Sequence, residues 1–143
     1  MCKKYRIGID AGGTKVAYGL FDADGQLLDR MQHPSDINAD GPAFSDRMIE
    51  TIREIEKKHN LKNEDLQGIG ICMPSYILFD TGYVYLTSAL TNIRDFPMKE
   101  YLQERLPGVK IVLDNDSNAA ALAEYRKGAG RGSRHMIYMA TST

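Results

Sequence analysis

Ile111-Val112-Leu113-Asp114-Asn115-Asp116-Ser117-Asn118-Ala119-Ala120-Ala121-Leu122-Ala123-Glu124 carries an apolar strand directly into a helix, with polar side chains packed into the junction. Ile111 to Leu113 read as a buried strand, and the alanine run that follows has high helix propensity. The strand is expected over residues 109–113 and the helix over 117–127, with Gly128 as the left-handed residue that ends it. A carboxylate at this junction faces unpaired backbone N–H groups and the positive end of the helix dipole. Asp116 is therefore the candidate catalytic group of the chain. It is equally a candidate helix cap, since Asp, Ser and Asn fill that role routinely.

Working outward, Tyr5 to Asp10 reads as a strand, Ala11-Gly12-Gly13-Thr14 breaks it, and Lys15 to Phe21 resumes it before the Asp22-Ala23-Asp24-Gly25 turn. Gln26 to His33 supplies a third strand, so the chain opens as an antiparallel meander, and Pro34 to Pro42 reads as a surface loop. Met48, Ile49, Ile52 and Ile55 recur at helical spacing, which predicts a helix from Ser45, as N-cap, to Lys58. Gly68 to Met73 is a short apolar strand stopped by Pro74. Tyr76 to Leu90 reads as a hairpin turning at Asp80-Thr81-Gly82, and Pro97 opens a helix running to Arg105. His135 to Ala140 is a last apolar strand with nothing after it but Thr141-Ser142-Thr143. This order predicts an α/β fold: a mixed five-stranded sheet, three strands antiparallel and the later ones parallel, with helices on both faces. Residues 1–133 are expected to form one domain, and 134–143 to be the first strand of a second, truncated one.

The chain has 143 residues, enough for one domain with a proper core. Hydrophobic residues make up 43% and charged residues 26%, the range of a folded rather than a disordered chain. Eighteen basic against 19 acidic residues leave a net charge of −1, so no global field draws in nucleic acid or an anionic membrane. No apolar run approaches the ~20 residues that span a bilayer. Cys2 and Cys72 form neither a disulfide framework nor a metal-ligand spacing, which points to a reducing cytoplasm. His33, His59 and His135 are isolated, and no metal cluster is expected around them.

Asp10-Ala11-Gly12-Gly13-Thr14-Lys15 is the second constellation with chemistry in it. Its glycines permit a tight turn whose N–H groups can approach phosphate oxygens, Thr14 adds a hydroxyl, and Asp10 can hold a hydrated Mg²⁺. It is not a Walker loop, because the G-x-x-x-x-G-K-[ST] spacing is absent and a strand follows. Taken alone, it also fits an ordinary glycine hairpin. If the strands ending at Asp10, Met73 and Leu113 are parallel, their carboxyl ends form one edge, the place where open α/β sheets bind ligands. That edge would hold Asp10, Ser75 and Asp116.

Together, Ile7-Gly8-Ile9-Asp10-Ala11-Gly12-Gly13-Thr14-Lys15 and Asp114-Asn115-Asp116-Ser117-Asn118-Ala119-Ala120 resemble the two motifs of the ROK family (repressor, open reading frame, kinase), including their spacing of about a hundred residues. The resemblance implies the ribonuclease H-like, actin-like ATPase superfold and ATP-dependent phosphorylation of a hexose hydroxyl, glucokinase-like, with ATP and Mg²⁺ as cofactors. It implies that Asp116 is the base at the sugar hydroxyl and that Asn115 and Asn92 bind the sugar. Gly12, Gly13, Thr14 and Lys15 would meet the nucleotide phosphates, with Mg²⁺ at Asp10 through water. The chain departs from the family at Ser75, where glycine is usual, and Ser75 is then a candidate contact to a sugar hydroxyl. The family's zinc site and second phosphate motif would lie beyond this chain, whose Thr141-Ser142-Thr143 resembles the start of that motif. A homodimer is implied for the full-length protein, with no nucleic-acid or membrane partner.

The family also contains sugar-sensing repressors, which carry a helix-turn-helix ahead of the phosphate motif. This chain reaches its motif by residue 10, so the kinase is the expectation and the transcriptional regulator the alternative. Gly128-Ala129-Gly130-Arg131-Gly132 superficially matches a dinucleotide fingerprint but follows a helix, as a flexible connection does. Arg126, Lys127, Arg131 and Arg134 suit a solvated helix end. Asn118 and Glu124 read as structural.

Overall fold

The computed structural model describes residues 4–141. Cys2, Ser142 and Thr143 lie outside them, as does most of the resemblance at residues 141–143. Strands β1 (Tyr5–Ala11), β2 (Lys15–Phe21) and β3 (Leu27–Pro34) form the antiparallel meander, and β4 (Leu66–Met73) and β8 (Ile111–Asn115) join it in parallel. The sheet order is β3-β2-β1-β4-β8, the expected mixed five-stranded sheet.

Side-chain alternation sorts the two faces. Ile7, Ile9 and Ala11 of β1, Val16, Tyr18 and Leu20 of β2, Ile69, Ile71 and Met73 of β4, and Ile111 and Leu113 of β8 are all buried. They share the core with Phe44, Met48, Ile52 and Ile55 of helix α1 (Gly41–Lys58) and Met98 and Leu102 of helix α2 (Met98–Arg105). The opposite face is built from small residues and polar ones, among them Gly8, Asp10, Gly70, Cys72 and Asp114. Helix α3 (Asp116–Lys127) contacts β8 and β4 and buries none of its residues. Between Leu122 of α3 and Phe79 lies a groove of about 610 Å³ floored by Gly8, Gly19 and Gly70. His33, isolated in sequence, accepts the Tyr18 hydroxyl through Nε2 at 2.9 Å while Nδ1 donates to the Pro34 carbonyl. Burial pushes the Tyr18 hydroxyl up to about 12.

Several boundaries differ from expectation for identifiable reasons. Helix α1 begins at Gly41, not Ser45: Asp40 is the N-cap, accepting the Ala43 N–H at 2.9 Å, and Pro42 sits in the first turn. Ser45 is buried inside the helix, its hydroxyl donating to the Gly41 carbonyl at 2.8 Å. The hairpin is present as β5 (Ser75–Leu78) and β6 (Tyr83–Thr87), with Gly82 at φ +64° in the turn. A third strand that the sequence reading missed, β7 (Arg94–Phe96), pairs with β6. Gly128 is not left-handed, at φ −105°. Helix α3 ends instead on the Glu124 carbonyl, which accepts from the N–H groups of Gly128 and Gly130, while the Glu124 carboxylate accepts from Ala129. The strand expected over 135–140 does not form: these residues pair with neither sheet, and Ile137 is 91% and Met139 79% exposed. No described helix is long and apolar enough to cross a membrane.

Candidate active site

The carboxyl ends of β1, β4 and β8 fall along one edge, as the parallel pairing requires. Register places Asp10 opposite Cys72 and Cys72 opposite Asp114, so the three side chains form one row on the small-residue face. The Cys72 thiol approaches Asp10 Oδ1 at 3.7 Å. Burial, then the charges of Asp10 and Asp116, push that thiol up to about 11. The parallel pairing sets Asp10 near the end of β1 and Asp116 just past the end of β8, on the same edge of the sheet.

Asp116 and the helix cap turn out to be different residues. Asn115 is the N-cap of α3: its Oδ1 accepts from the N–H groups of Ser117 at 2.8 Å and Asn118 at 3.4 Å. Its Nδ2 donates to the Ser75 carbonyl at 3.0 Å, fastening β8 to the start of β5. Asp114 Oδ1 accepts from the Asn115 N–H at 2.7 Å and from Asn118 Nδ2 at 2.9 Å, which gives Asn118 its structural role. Asp116 is left half-buried at the first helical position, one oxygen accepting the Ser117 N–H at 2.9 Å.

The turn between β1 and β2 is closed by the Gly12 N–H donating to the Lys15 carbonyl at 3.0 Å, with Thr14 and Lys15 exposed. A Cβ on Gly13 would stand 2.6 Å from the Ala89 methyl, so the close approach of the β6–β7 loop admits only glycine there. Ser35, which the sequence reading passed over as loop, donates its hydroxyl to the Gly12 carbonyl at 2.6 Å and its N–H to the Thr14 carbonyl at 3.0 Å. Asn92 Nδ2 donates to the Asn38 carbonyl at 2.9 Å, tying the β6–β7 loop to the β3–α1 loop. Ser75 is buried, and its hydroxyl turns inward to the Met73 carbonyl at 2.9 Å.

No group of three His, Cys, Asp or Glu side chains suited to a metal ion occurs among the described residues. Mg²⁺ asks for less: it keeps most of its waters and is held by one or two carboxylates together with substrate phosphates. The exposed carboxylate of Asp10, beside the glycine turn, fits that demand.

A sequence profile described as the ROK family matches residues 6–143. A glucokinase of Halalkalibacterium halodurans is 33% identical over 147 residues, covering 100% of this chain and 43% of that protein. A xylose repressor of Bacillus subtilis is 30% identical, covering 97% of this chain and 35% of the repressor. The crystal structure of a ROK family glucokinase from Streptomyces griseus, in complex with glucose and AMPPNP, superposes with a TM-score of 0.71 at 30% identity, over 90% of this chain and 38% of that one. The chain thus spans about two fifths of the length of the relatives it matches.

Proposed function

Because the chain belongs to the ROK family, we propose that it is the sugar- and phosphate-binding part of an enzyme that transfers a phosphoryl group from ATP to a hexose hydroxyl. The observation that carries this reading is the division of labour at the start of α3. Asn115 does the capping, so Asp116 keeps a carboxylate oxygen for chemistry on the same edge as Asp10 and the glycine turn. In the proposed reaction, Asp116 accepts the proton of the attacking sugar hydroxyl, and a fixed, ionised carboxylate within reach of that hydroxyl is what the step requires. Gly12, Gly13, Thr14 and Lys15 bind the phosphates of the donor through backbone N–H groups, a hydroxyl and an ammonium. Mg²⁺, held at Asp10 through water, would offset phosphate charge when bound.

On the sugar side, Asn92 keeps its amide oxygen for a hydroxyl, its Nδ2 being committed to Asn38. Asn115 and Ser75 act there through the loop they fasten together. Glucose is the first substrate, with N-acetylated hexosamines and fructose next, in a cytoplasmic enzyme that is a homodimer at full length. The similarity to a xylose repressor sustains a second reading, a sugar-sensing regulator without turnover. A phosphorylation screen of the full-length protein against hexoses and hexosamines separates the two. ATP-dependent product with at least one hexose is expected, and sugar binding without any product would favour the regulator.

A further inference from the structure

Ser35 stands where β3 runs out, and both of its hydrogen-bond donors are spent on the glycine turn: the hydroxyl on the Gly12 carbonyl at 2.6 Å and the N–H on the Thr14 carbonyl at 3.0 Å. A trans peptide is planar, so its C=O and the N–H that follows point to opposite sides. Pinning the Gly12 carbonyl therefore aims the Gly13 N–H away from Ser35. Pinning the Thr14 carbonyl aims the Lys15 N–H away as well. These are backbone donors of the kind that hold phosphate oxygens. Ala89 closes against Gly13, which keeps the turn from relaxing in that direction. Without the Ser35 hydroxyl, the Gly12 carbonyl is free to swing and to present a partial negative charge to an incoming anion.

We propose that Ser35 is a positioning residue for the phosphoryl donor, a latch that presets the N–H groups of the β1–β2 turn for phosphate. The inference rests on the kinase reading of that turn and extends it to a residue outside both motifs. Ser35 touches no reacting atom; it acts through Gly12 and Thr14.

The test compares AMPPNP affinity by calorimetry, and KM for ATP and for hexose, across variants of the full-length protein. Ser35→Ala is expected to weaken AMPPNP binding about tenfold and raise the ATP KM to match, with the hexose KM within about twofold, as the loss of one hydrogen bond on the donor side would do. Ser35→Thr keeps the hydroxyl and is expected to restore AMPPNP affinity to within about twofold of native. Equal affinity of native and Ser35→Ala protein, a parallel rise in both KM values, or no restoration by threonine overturns the proposal. Should Ser35→Ala not fold, Ser35→Cys fills the site with a weaker donor and carries the same expectation and the same refutation. A native protein that binds AMPPNP but phosphorylates no hexose refutes the kinase reading and leaves the latch to be decided by the binding comparison. A native protein that binds no AMPPNP overturns both.

Discussion

Asp114, Asn115 and Asp116 are three consecutive polar residues with three separate duties, and only the local backbone distinguishes them. Asn115 has the extended conformation of a cap at φ −62° and ψ 145°, which puts its amide oxygen over the first turn of α3. Any of the three could cap on residue type alone, which is why the sequence left Asp116 between cap and catalyst. Asp29 shows a side chain whose role depends on distant partners. Its Oδ2 accepts from His59 Nε2 and Lys58 Nζ, each at 2.7 Å, clasping β3 to the end of α1. The His59 hydrogen bond first, and then that of Lys58, lower its carboxyl from 3.8 to about 2. A carboxyl lowered by folding contributes stability above its unfolded value and loses it as pH falls through the folded one. Thermal unfolding followed by circular dichroism is therefore expected to show native stability declining between about pH 4 and pH 2, with a shallower decline in Asp29→Asn. Matching declines would show that the clasp contributes nothing. The effect is expected to shrink with added salt, because Lys58 is largely exposed.

Among the elements, those built on hydrophobic periodicity were legible in sequence and those built on partnership were not. The meander, β4, β8 and the body of α1 follow from where Ile, Val, Leu and Met recur. The start of α1 was misplaced because Gly41-Pro42 reads as loop, although Asp40 ahead of a first-turn proline is a genuine start signal. Strand β7 is Arg94-Asp95-Phe96, with Asp95 at φ +48° and no apolar alternation to betray it; it exists because Val84 and Leu86 of β6 offer a pairing edge. Residues 135–140 show the converse, strand propensity without a strand partner among the described residues. Contact between elements also fixes the glycine turn. Gly13→Ala would drive a Cβ into Ala89 and is expected to destabilise the protein by about 1–3 kcal/mol in urea denaturation. Adding Ala89→Gly should recover most of that loss. Independent, additive effects in the double-mutant cycle would show that the contact does not constrain the turn.

For the whole molecule, the mixed character of the sheet could be read from the sequence, because short turns join the first three strands as an antiparallel meander and helix-containing connections lead to the parallel ones. The row Asp10, Cys72, Asp114 could not, since register between β1, β4 and β8 is set by pairing across long stretches of chain. That row matters, because one hydrophobic core fixes the carboxylates of two distant motifs on a single edge. Three loops at that edge are then stitched together by Ser35, Asn92 and the Gly13 contact, while Asn115 ties the start of α3 to β5. The central claim is that Asp116 supplies the base while Asn115 supplies the cap. The most direct test is Asp116→Asn in the full-length protein, which keeps the shape of the side chain and removes its capacity to take a proton. The account predicts that hexose phosphorylation falls by roughly three orders of magnitude or more, while hexose affinity and melting temperature stay close to native. Turnover within about tenfold of native would contradict it.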